Sequence, residues 1–325
     1  MRSHPRAHRS PSAPRRRRRG FTALTAEVVV GIDAGASKTR AFAVTREGDV
    51  VGRGAGGGGN LLSSPDPEGA IGAALAEALA GRAPDAVVLS CAGGDRPADR
   101  DRGVAILGRL LGPRVLVGVT HDALAALYAG NRAGCGVVVI AGTGSIAFGR
   151  NEEGEEQRAG GWGYLIGDEG AAVWLGLEGL RAAAHAVDGT GAPTRIVENL
   201  LAELGIVQFA DVLPLLYGAP HPAPATLAGA RAVALAASEN DALAMSVIRR
   251  GAHALARAAT VVAFGLDLVE GPLYLAGGMF ENVSALEHAV RIELLGMLPR
   301  APVERVREEP AMGAARLAAR LVWPE

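Results

Sequence analysis

Two short turns of small and hydroxylated residues each follow a strongly apolar run in this 325-residue sequence. The first reads DAGASKT over residues 33–39, and the second reads AGTGS over residues 141–145. Small residues let the backbone approach a ligand closely, and successive N–H groups in such turns can hold phosphate oxygens. The spacing excludes the GxxxxGK[ST] pattern of a P-loop. Either turn alone would be an ordinary hairpin turn, but two at equivalent places predict a shared triphosphate site.

A third glycine turn and the polar residues of the first turn extend this candidate site. Asp33 ends the first apolar run, where its carboxylate could hold a hydrated Mg²⁺, and Lys38 is the only lysine in the chain. The segment AGGM at residues 276–279 offers bare backbone to an adenosine. These features predict ATP and Mg²⁺ as cofactors. The candidate nucleotide contacts are Asp33, Gly35, Ser37, Lys38, Thr39, Gly142, Thr143, Gly144, Gly277 and Gly278.

The elements that must position these turns follow the pattern of an α/β protein. Extended runs at residues 27–33, 40–45 and 49–54 precede a helix with Ser64 as its N-cap and Gly81 as its C-cap. The first run is continuous and β-branched, as in a buried central strand. Further strands are predicted at 86–90 and 114–119, with helices near 98–111 and from His121–Asp122. The alternation favours crossover helices on a mixed sheet.

A second copy of this plan starts at residue 136. The segment GVVVIAGTGSIAFGR (136–150) repeats the strand, turn and strand of VVVGIDAGASKTRAFAV (28–44). A third extended segment near 155–159 precedes a largely helical stretch over 168–266, and a strand at 272–276 leads into AGGM. The last helix, near 311–321, is expected to pack back on the first half. Two copies of one α/β plan around a cleft are therefore predicted.

Composition and charge narrow the functional class. Residues 1–20 hold eight arginines and no acid, so removing them takes the formal net charge from −1 to −9. An acidic body argues against a nucleic-acid-binding core. Cys91 and Cys135 form no CxxC pair, and no zinc-ligand spacing occurs, so a reducing cytoplasm is the expected location.

The arginine-rich start superficially resembles a twin-arginine export signal, but Glu27 and Asp33 interrupt the apolar region that such a signal needs. We predict a disordered tail over residues 1–24. No run of 18 or more uncharged apolar residues occurs outside the glycine-rich turns, so no membrane helix is expected.

The three ordered glycine turns resemble those of the sugar kinase, actin and Hsp70 superfamily. GGWGYLIGDEGAAVWLG (160–176), THDA (120–123) and GGGGN (56–60) are similar to the N-acetylglucosamine kinase branch of the BadF/BadG/BcrA/BcrD ATPase family. The resemblance covers the chain from about residue 27. It implies two ribonuclease-H-like, actin-like ATPase domains around a nucleotide cleft, and ATP-dependent phosphorylation of the 6-hydroxyl of an amino sugar, N-acetylglucosamine first.

The resemblance also assigns roles to residues. Asp122 matches the general base, although by itself it would be read as a plain N-cap, and Asp33 matches the acid that holds the metal through water. Ser37 and Thr143 match phosphate-binding hydroxyls. Asp168 and Glu169 read locally as first-turn acids of a helix. The implied sugar contacts are Asn60, Asp122, Ser145, Gly161, Trp162, Gly163 and Asp168.

The implied domains are residues 25–134 with the helix at 311–323, and residues 135–310. Three alternatives stay open: a glucosamine kinase, an ATPase activator of a 2-hydroxyacyl-CoA dehydratase, and a non-catalytic sugar-sensing module. The activator needs a glycine-rich cysteine motif that neither Cys91 nor Cys135 provides. A kinase of the ROK type would carry a CxCGxxGC zinc motif, which is absent from the sequence. An amino sugar and possible homodimerisation are the expected partnerships, with no nucleic acid and no membrane.

Overall fold

Two five-stranded sheets with the same strand order and directions organise the chain. The structure is a computed structural model that describes residues 28–92, 94, 96–219 and 223–323; the predicted tail over 1–24 lies outside this range. In each sheet, two antiparallel pairings at one side join two parallel pairings at the other. The internal repeat predicted from the two strand-turn-strand segments is therefore confirmed.

The first sheet has the order β3-β2-β1-β4-β5, which makes β1 its central strand as predicted. Three of its apolar side chains, Val29, Val30 and Ile32, are fully buried. A continuous apolar run is expected for a strand covered on both faces. The strands are β1 Val29–Ala34, β2 Thr39–Val44, β3 Val50–Gly56, β4 Ala86–Cys91 and β5 Leu116–His121.

The second sheet has the order β10-β9-β6-β7-β8, so β6 is central and β8 lies at one edge. Its three-residue strand β10 was not predicted, because a short and largely exposed VER segment carries no alternating pattern. The strands are β6 Gly136–Ala141, β7 Ser145–Arg150, β8 Glu156–Gly160, β9 Leu273–Ala276 and β10 Val303–Arg305.

Helices cover both sheets, and eleven α-helices occur within the described residues. Their bounds are α1 Pro67–Leu79, α2 Pro97–Leu111, α3 Asp122–Gly130, α4 Ala172–Val187, α5 Ile196–Leu204, α6 Val212–Tyr217, α7 Pro224–Ser238, α8 Ala242–Gly265, α9 Gly278–Asn282, α10 Ser284–Met297 and α11 Pro310–Val322. In the described part of the chain, no single helix is both long and apolar enough to cross a membrane; only the bent pair Ile196–Leu204 and Phe209–Tyr217 passes that test when joined.

The caps of α1 differ from the prediction. Asp66, and not Ser64, is the N-cap, because its Oδ1 accepts a hydrogen bond from the Gly69 N–H at 2.9 Å. The helix ends on Ala80 in the left-handed conformation, one residue before the predicted Gly81. Pro67 at the first helical position places the cap immediately before it.

Helix α11 packs against strands and a helix of the first half. A Cβ at Gly31 of β1 would overlap backbone atoms of Ala311 and Ala315, and one at Gly313 would overlap the Ala125 carbonyl of α3. Two glycines at the crossings thus let α11 touch β1 and α3 backbone to backbone. Because Asp33 is the penultimate residue of β1 and α3 begins at Asp122, α11 fixes the relative placement of both.

Candidate active site

The carboxyl ends of three parallel strands meet at one edge of the first sheet. Asp33 of β1 is in register with Ser90 of β4, and Ser90 with Thr120 of β5. Residues in register on neighbouring strands point to the same face, so these three side chains share one side of the sheet. Helix α3 follows β5 directly and brings Asp122 to the same edge.

Asp33 and Asp122 influence each other electrostatically. Burial, followed by the nearby Asp122 carboxylate, raises the pKa of Asp33 to about 7, and Lys38 opposes this rise. Two carboxylates that share a site resist joint ionisation unless a cation lies close to them. The edge of the first sheet is therefore suited to a positively charged ligand.

The N-terminus of α3 orients Asp122. His121 is the N-cap, and its Nδ1 accepts the Leu124 N–H at 3.2 Å. Asp122 is thus the first helical residue, and its Oδ1 accepts the Ala123 N–H at 2.9 Å. The plain N-cap reading of Asp122 is wrong, because the preceding histidine fills that position. Backbone N–H groups at a helix N-terminus favour a carboxylate in its charged form.

The DAGASKT turn is tied to the neighbouring glycine loop. The Gly35 N–H donates to the Lys38 carbonyl at 2.9 Å, and the Gly35 carbonyl accepts the N–H groups of Gly59 and Asn60. Asn60 is nearly buried, and its Oδ1 accepts the N–H groups of two following residues at 2.9 and 3.1 Å. These bonds set Asn60 beside the turn that carries the candidate phosphate contacts.

Some polar side chains of the DAGASKT turn are exposed and one is buried. Ser37 and Lys38 are exposed. Thr39 is fully buried, and its Oγ1 donates to the Gly57 carbonyl at 2.8 Å. The Thr39 hydroxyl therefore holds the turn against the glycine loop, and a contact between Thr39 and the nucleotide stays a prediction.

The second turn docks on the start of α4. The Gly142 N–H donates to the Gly144 carbonyl at 2.9 Å, which makes the turn tight. The Gly142 and Thr143 carbonyls accept the N–H groups of Ala172 and Val173, so the turn satisfies donors that a helix start otherwise leaves unpaired. The Thr143 side chain remains exposed.

The third turn lies against the second. Strands β6 and β9 are parallel neighbours, with Ile140 in register with Ala276. Gly277 has φ +100°, and a Cβ there would collide with the Ala141 carbonyl. Only glycine accommodates this approach readily. Gly277 and the exposed Gly278 follow β9. They therefore lie beside the AGTGS turn, which follows the neighbouring strand β6.

Asp168 organises the loop between β8 and α4. Its Oδ1 accepts the Gly163 N–H at 3.3 Å, and a Cβ at Gly144 would lie 2.6 Å from its Oδ2. Burial raises the pKa of Asp168, while the backbone N–H groups of Ser145 and Gly163 oppose that rise. Asp168 adopts a left-handed conformation, φ +61°. The prediction that Asp168 and Glu169 lie in the first helical turn is wrong, because α4 begins at Ala172.

The same loop presents a mixed surface. The Ser145 hydroxyl donates to the Glu169 carbonyl at 3.0 Å, and the Gly161 N–H donates to the Ser145 carbonyl at 3.0 Å. Trp162 is 65% exposed and so lies outside the core. Ser145, Gly161, Gly163 and Asp168 are thus brought together, with Trp162 on the open side.

The two halves touch next to Asp122. The His121 ring meets Phe148 of β7 edge to face, with ring centroids 4.6 Å apart. Behind it, α3 packs on the second sheet through Ala126, Leu127 and Val138, among others. His121 thus links the edge of the first sheet to the sheet that carries the Trp162 loop.

Three residues near the site were not among the predicted contacts. Ser90 is buried, and its hydroxyl has no hydrogen-bond partner among the described residues; His121 caps α3 and contacts Phe148. The Arg158 guanidinium stands 5.3 Å from the centroid of the Trp162 ring. The positions of Ser90 and His121 in the site depend on contacts between distant segments, which no local sequence pattern identifies.

Comparison with known proteins agrees with this architecture. A Clostridium acetobutylicum protein named N-acetylmuramic acid/N-acetylglucosamine kinase is 29% identical, covering 89% of this chain and 97% of its own. A Dictyostelium discoideum N-acetyl-D-glucosamine kinase is 28% identical, covering 91% and 98% respectively.

A solved structure shares the fold. A Streptomyces griseus ROK family glucokinase, solved with glucose and AMPPNP, has a TM-score of 0.58 at 18% identity, over 90% of this chain and 99% of its own. The predicted fold class, two actin-like domains around a nucleotide cleft, is confirmed. The profile of the BadF/BadG/BcrA/BcrD ATPase family matches residues 30–318. The chain therefore belongs to the BadF/BadG/BcrA/BcrD ATPase family.

Proposed function

We propose that this protein is an ATP-dependent sugar kinase that phosphorylates the 6-hydroxyl of an N-acetylated hexosamine, with N-acetylglucosamine as the leading substrate. The observation that carries the proposal is the electrostatically coupled pair Asp33 and Asp122 beside a glycine turn. Phosphoryl transfer depends chiefly on positioning and on neutralising charge. The family membership and the names of the two kinase relatives support ATP as the phosphoryl donor.

Asp122 is proposed as the general base. It stands at the first position of α3, with one carboxylate oxygen held by the Ala123 N–H. A fixed carboxylate can accept the proton of a sugar hydroxyl as the phosphoryl group arrives. Asn60 on the first half, with Gly163 and Asp168 on the second, would hold the sugar. Ser37, Lys38 and Thr143 are exposed and would meet the phosphates.

The residues around Asp33 fit a magnesium ion. Mg²⁺ prefers oxygen ligands and usually takes one or two carboxylates, with water and phosphate completing its shell. Asp33 would supply the carboxylate, and the Ser90 hydroxyl, which is in register with Asp33 and has no hydrogen-bond partner among the described residues, would supply a further oxygen for a bound water. The described residues contain no group of three or more His, Cys, Asp or Glu that would suit a metal without phosphate. The ion would neutralise charge on the phosphates.

An N-acetylated sugar is favoured over glucosamine. A free ammonium needs a carboxylate, and Asp168 is the buried acid of the sugar loop. Its oxygens already accept the N–H groups of Ser145 and Gly163, and burial raises its pKa, which weakens its claim as a partner for a cation. The relatives named as kinases of N-acetylated sugars point the same way. The Clostridium name adds N-acetylmuramic acid as a second substrate to test.

The activator alternative has less support. An iron–sulfur cluster shared between subunits requires accessible thiolates. Cys91 is fully buried, and burial raises the pKa of Cys135. A sugar-sensing module would bind nucleotide and sugar without turnover, so a rate measurement separates it from a kinase.

A coupled ADP-release assay tests the proposal. The panel is N-acetylglucosamine, glucosamine, N-acetylmannosamine, glucose and N-acetylmuramic acid, each with MgATP. We expect the highest kcat/KM with an N-acetylated sugar, a 6-phosphate by NMR of the product, and no ADP release with 6-deoxy-N-acetylglucosamine. Asp122→Asn serves as the control for contaminating kinases. Absence of turnover with every sugar in the panel contradicts the proposal.

A further inference from the structure

A positively charged side chain stands on the open side of the candidate sugar loop. Arg158 lies on the edge strand β8 and is exposed, and its guanidinium is 5.3 Å from the centroid of the Trp162 ring. An arginine over an aromatic face is attracted by the ring and held in a defined direction. The Arg158 guanidinium is therefore directed by a residue that belongs to the proposed sugar site.

Strand register places Arg158 on the side of the sheet that faces Asp122. Arg158 is paired with Phe148 of β7, and opposed residues of antiparallel strands point to the same face. The Phe148 ring contacts His121 at 4.6 Å, and His121 immediately precedes Asp122. Phe148 and His121 thus lie between Arg158 and the proposed general base Asp122.

Two acidic side chains stand on the sugar side of the proposed site, whereas Lys38 is placed at the phosphates. Asp122 is beside the proposed sugar position, and Glu169 is exposed in the sugar loop. An anionic sugar would be repelled there unless a cation offset these charges. Arg158 can provide that cation, because a guanidinium offers several N–H groups in a planar fork that matches a carboxylate.

We propose that Arg158 determines specificity for N-acylated hexosamines that carry a carboxylate substituent, which its guanidinium binds while Trp162 lines the ring. The inference rests on the proposed function, because it names a substrate class for that same site. N-acetylmuramic acid is such a sugar and serves as the probe. N-acetylglucosamine is the matched neutral sugar, since it lacks only the acidic ether.

The test measures the selectivity ratio, kcat/KM for N-acetylmuramic acid divided by kcat/KM for N-acetylglucosamine. We expect Arg158→Gln to lower this ratio by about 10- to 100-fold, the effect of losing a charge-assisted hydrogen bond. Arg158→Lys keeps the positive charge but lacks the planar guanidinium, so its selectivity ratio is expected to lie between those of wild type and Arg158→Gln. Added NaCl should raise the KM of the acidic sugar more than that of the neutral one.

Arg53 provides a matched control on the first sheet. Its guanidinium stands 4.4 Å from the centroid of the Phe42 ring, so it also combines an exposed arginine with an aromatic face. Arg53→Gln should leave the ratio unchanged. A general effect of removing one exposed arginine would change the selectivity ratio in both variants. Loss of substrate recognition would change the ratio only in Arg158→Gln.

The outcomes separate this inference from the proposed function. Turnover of N-acetylglucosamine without turnover or binding of N-acetylmuramic acid overturns the inference and leaves the kinase proposal standing. An unchanged ratio in Arg158→Gln also overturns it. If neither sugar is turned over, the kinase proposal fails, and calorimetric binding of the two sugars still tests Arg158. A ratio of affinities that falls in Arg158→Gln then supports the inference, and an unchanged one overturns it.

Discussion

The stability of the metal-free protein should depend on pH through Asp33. The pKa of Asp33 rises from 3.8 to about 7 because of burial and the Asp122 carboxylate. Between these values the folded protein retains a proton that the unfolded chain releases, so the contribution of Asp33 to stability is lost as pH rises through about 7. Above that pH the fold must hold an ionised, partly buried carboxylate close to a second one.

Asp33→Asn removes this dependence because the amide stays neutral. A pKa rise of about three units at about 1.36 kcal/mol each sets an upper bound near 4 kcal/mol, so we expect the variant to gain roughly 2 to 4 kcal/mol over wild type between about pH 4 and pH 8. Urea unfolding in EDTA without nucleotide, repeated along this pH range, measures the difference. The contributions of other titrating groups to the pH dependence cancel in the difference between the two proteins, because both proteins carry these groups.

Two further variants sharpen the measurement. Glu47→Gln removes an exposed carboxylate in the β2–β3 turn and serves as the control for losing one negative charge elsewhere on the protein. In an Asp122→Asn background, Asp33→Asn should gain less, because the second carboxylate no longer opposes ionisation. A pH-independent difference between wild type and Asp33→Asn would refute the raised pKa of Asp33, and an equal gain from Asp33→Asn in both backgrounds would refute the closeness of the two carboxylates.

Other changes probe the remaining parts of the site. Asp122→Asn should lower kcat by at least about 10²-fold while sugar and nucleotide affinities measured by calorimetry persist, since a general base acts in the chemical step; a kcat near that of wild type would remove Asp122 from its role. Lys38→Ala should raise the KM for ATP with an unchanged melting temperature, and an unaltered KM would show that Lys38 does not contact ATP. Gly277→Ala should destabilise the protein by about 1 to 3 kcal/mol in urea unfolding, because its Cβ meets the Ala141 carbonyl at a positive φ. Gly296→Ala, in the open on α10, is the control and should cost nothing.

Local patterns predicted the two sheets well. The β-branched run before Asp33 indicated a central strand, and the matching segment at 136–150 indicated the repeat, because both signals lie within a few neighbouring residues. Positions that depend on a single hydrogen bond were harder to predict from local patterns. Asp66 displaced Ser64 as the cap of α1 because Pro67 fixes where the helix begins.

Site residues were harder to predict where distant segments meet. Thr39 belongs to a hydroxylated turn by sequence, yet its hydroxyl is buried and donates to the carbonyl of Gly57, which follows β3. Asp168 resembled a helical acid, but it adopts a left-handed conformation before α4 begins, and its carboxylate accepts the Gly163 N–H within the loop. The pairing of Arg158 with Phe148 follows from register across a hairpin, which composition does not encode.

The position of α11 has a consequence for how the protein reaches its folded form. The first sheet obtains a covering helix from a segment far along the chain, and Arg316 donates to the Tyr128 carbonyl across 188 residues. Closing so long a loop costs entropy before any contact offsets it, which slows folding. The edge carrying Asp33 and Asp122 is thus completed only after most of the chain has been synthesised. We expect a nascent first half to remain unable to hold a metal–nucleotide complex and to depend on the rest of its own chain for assembly.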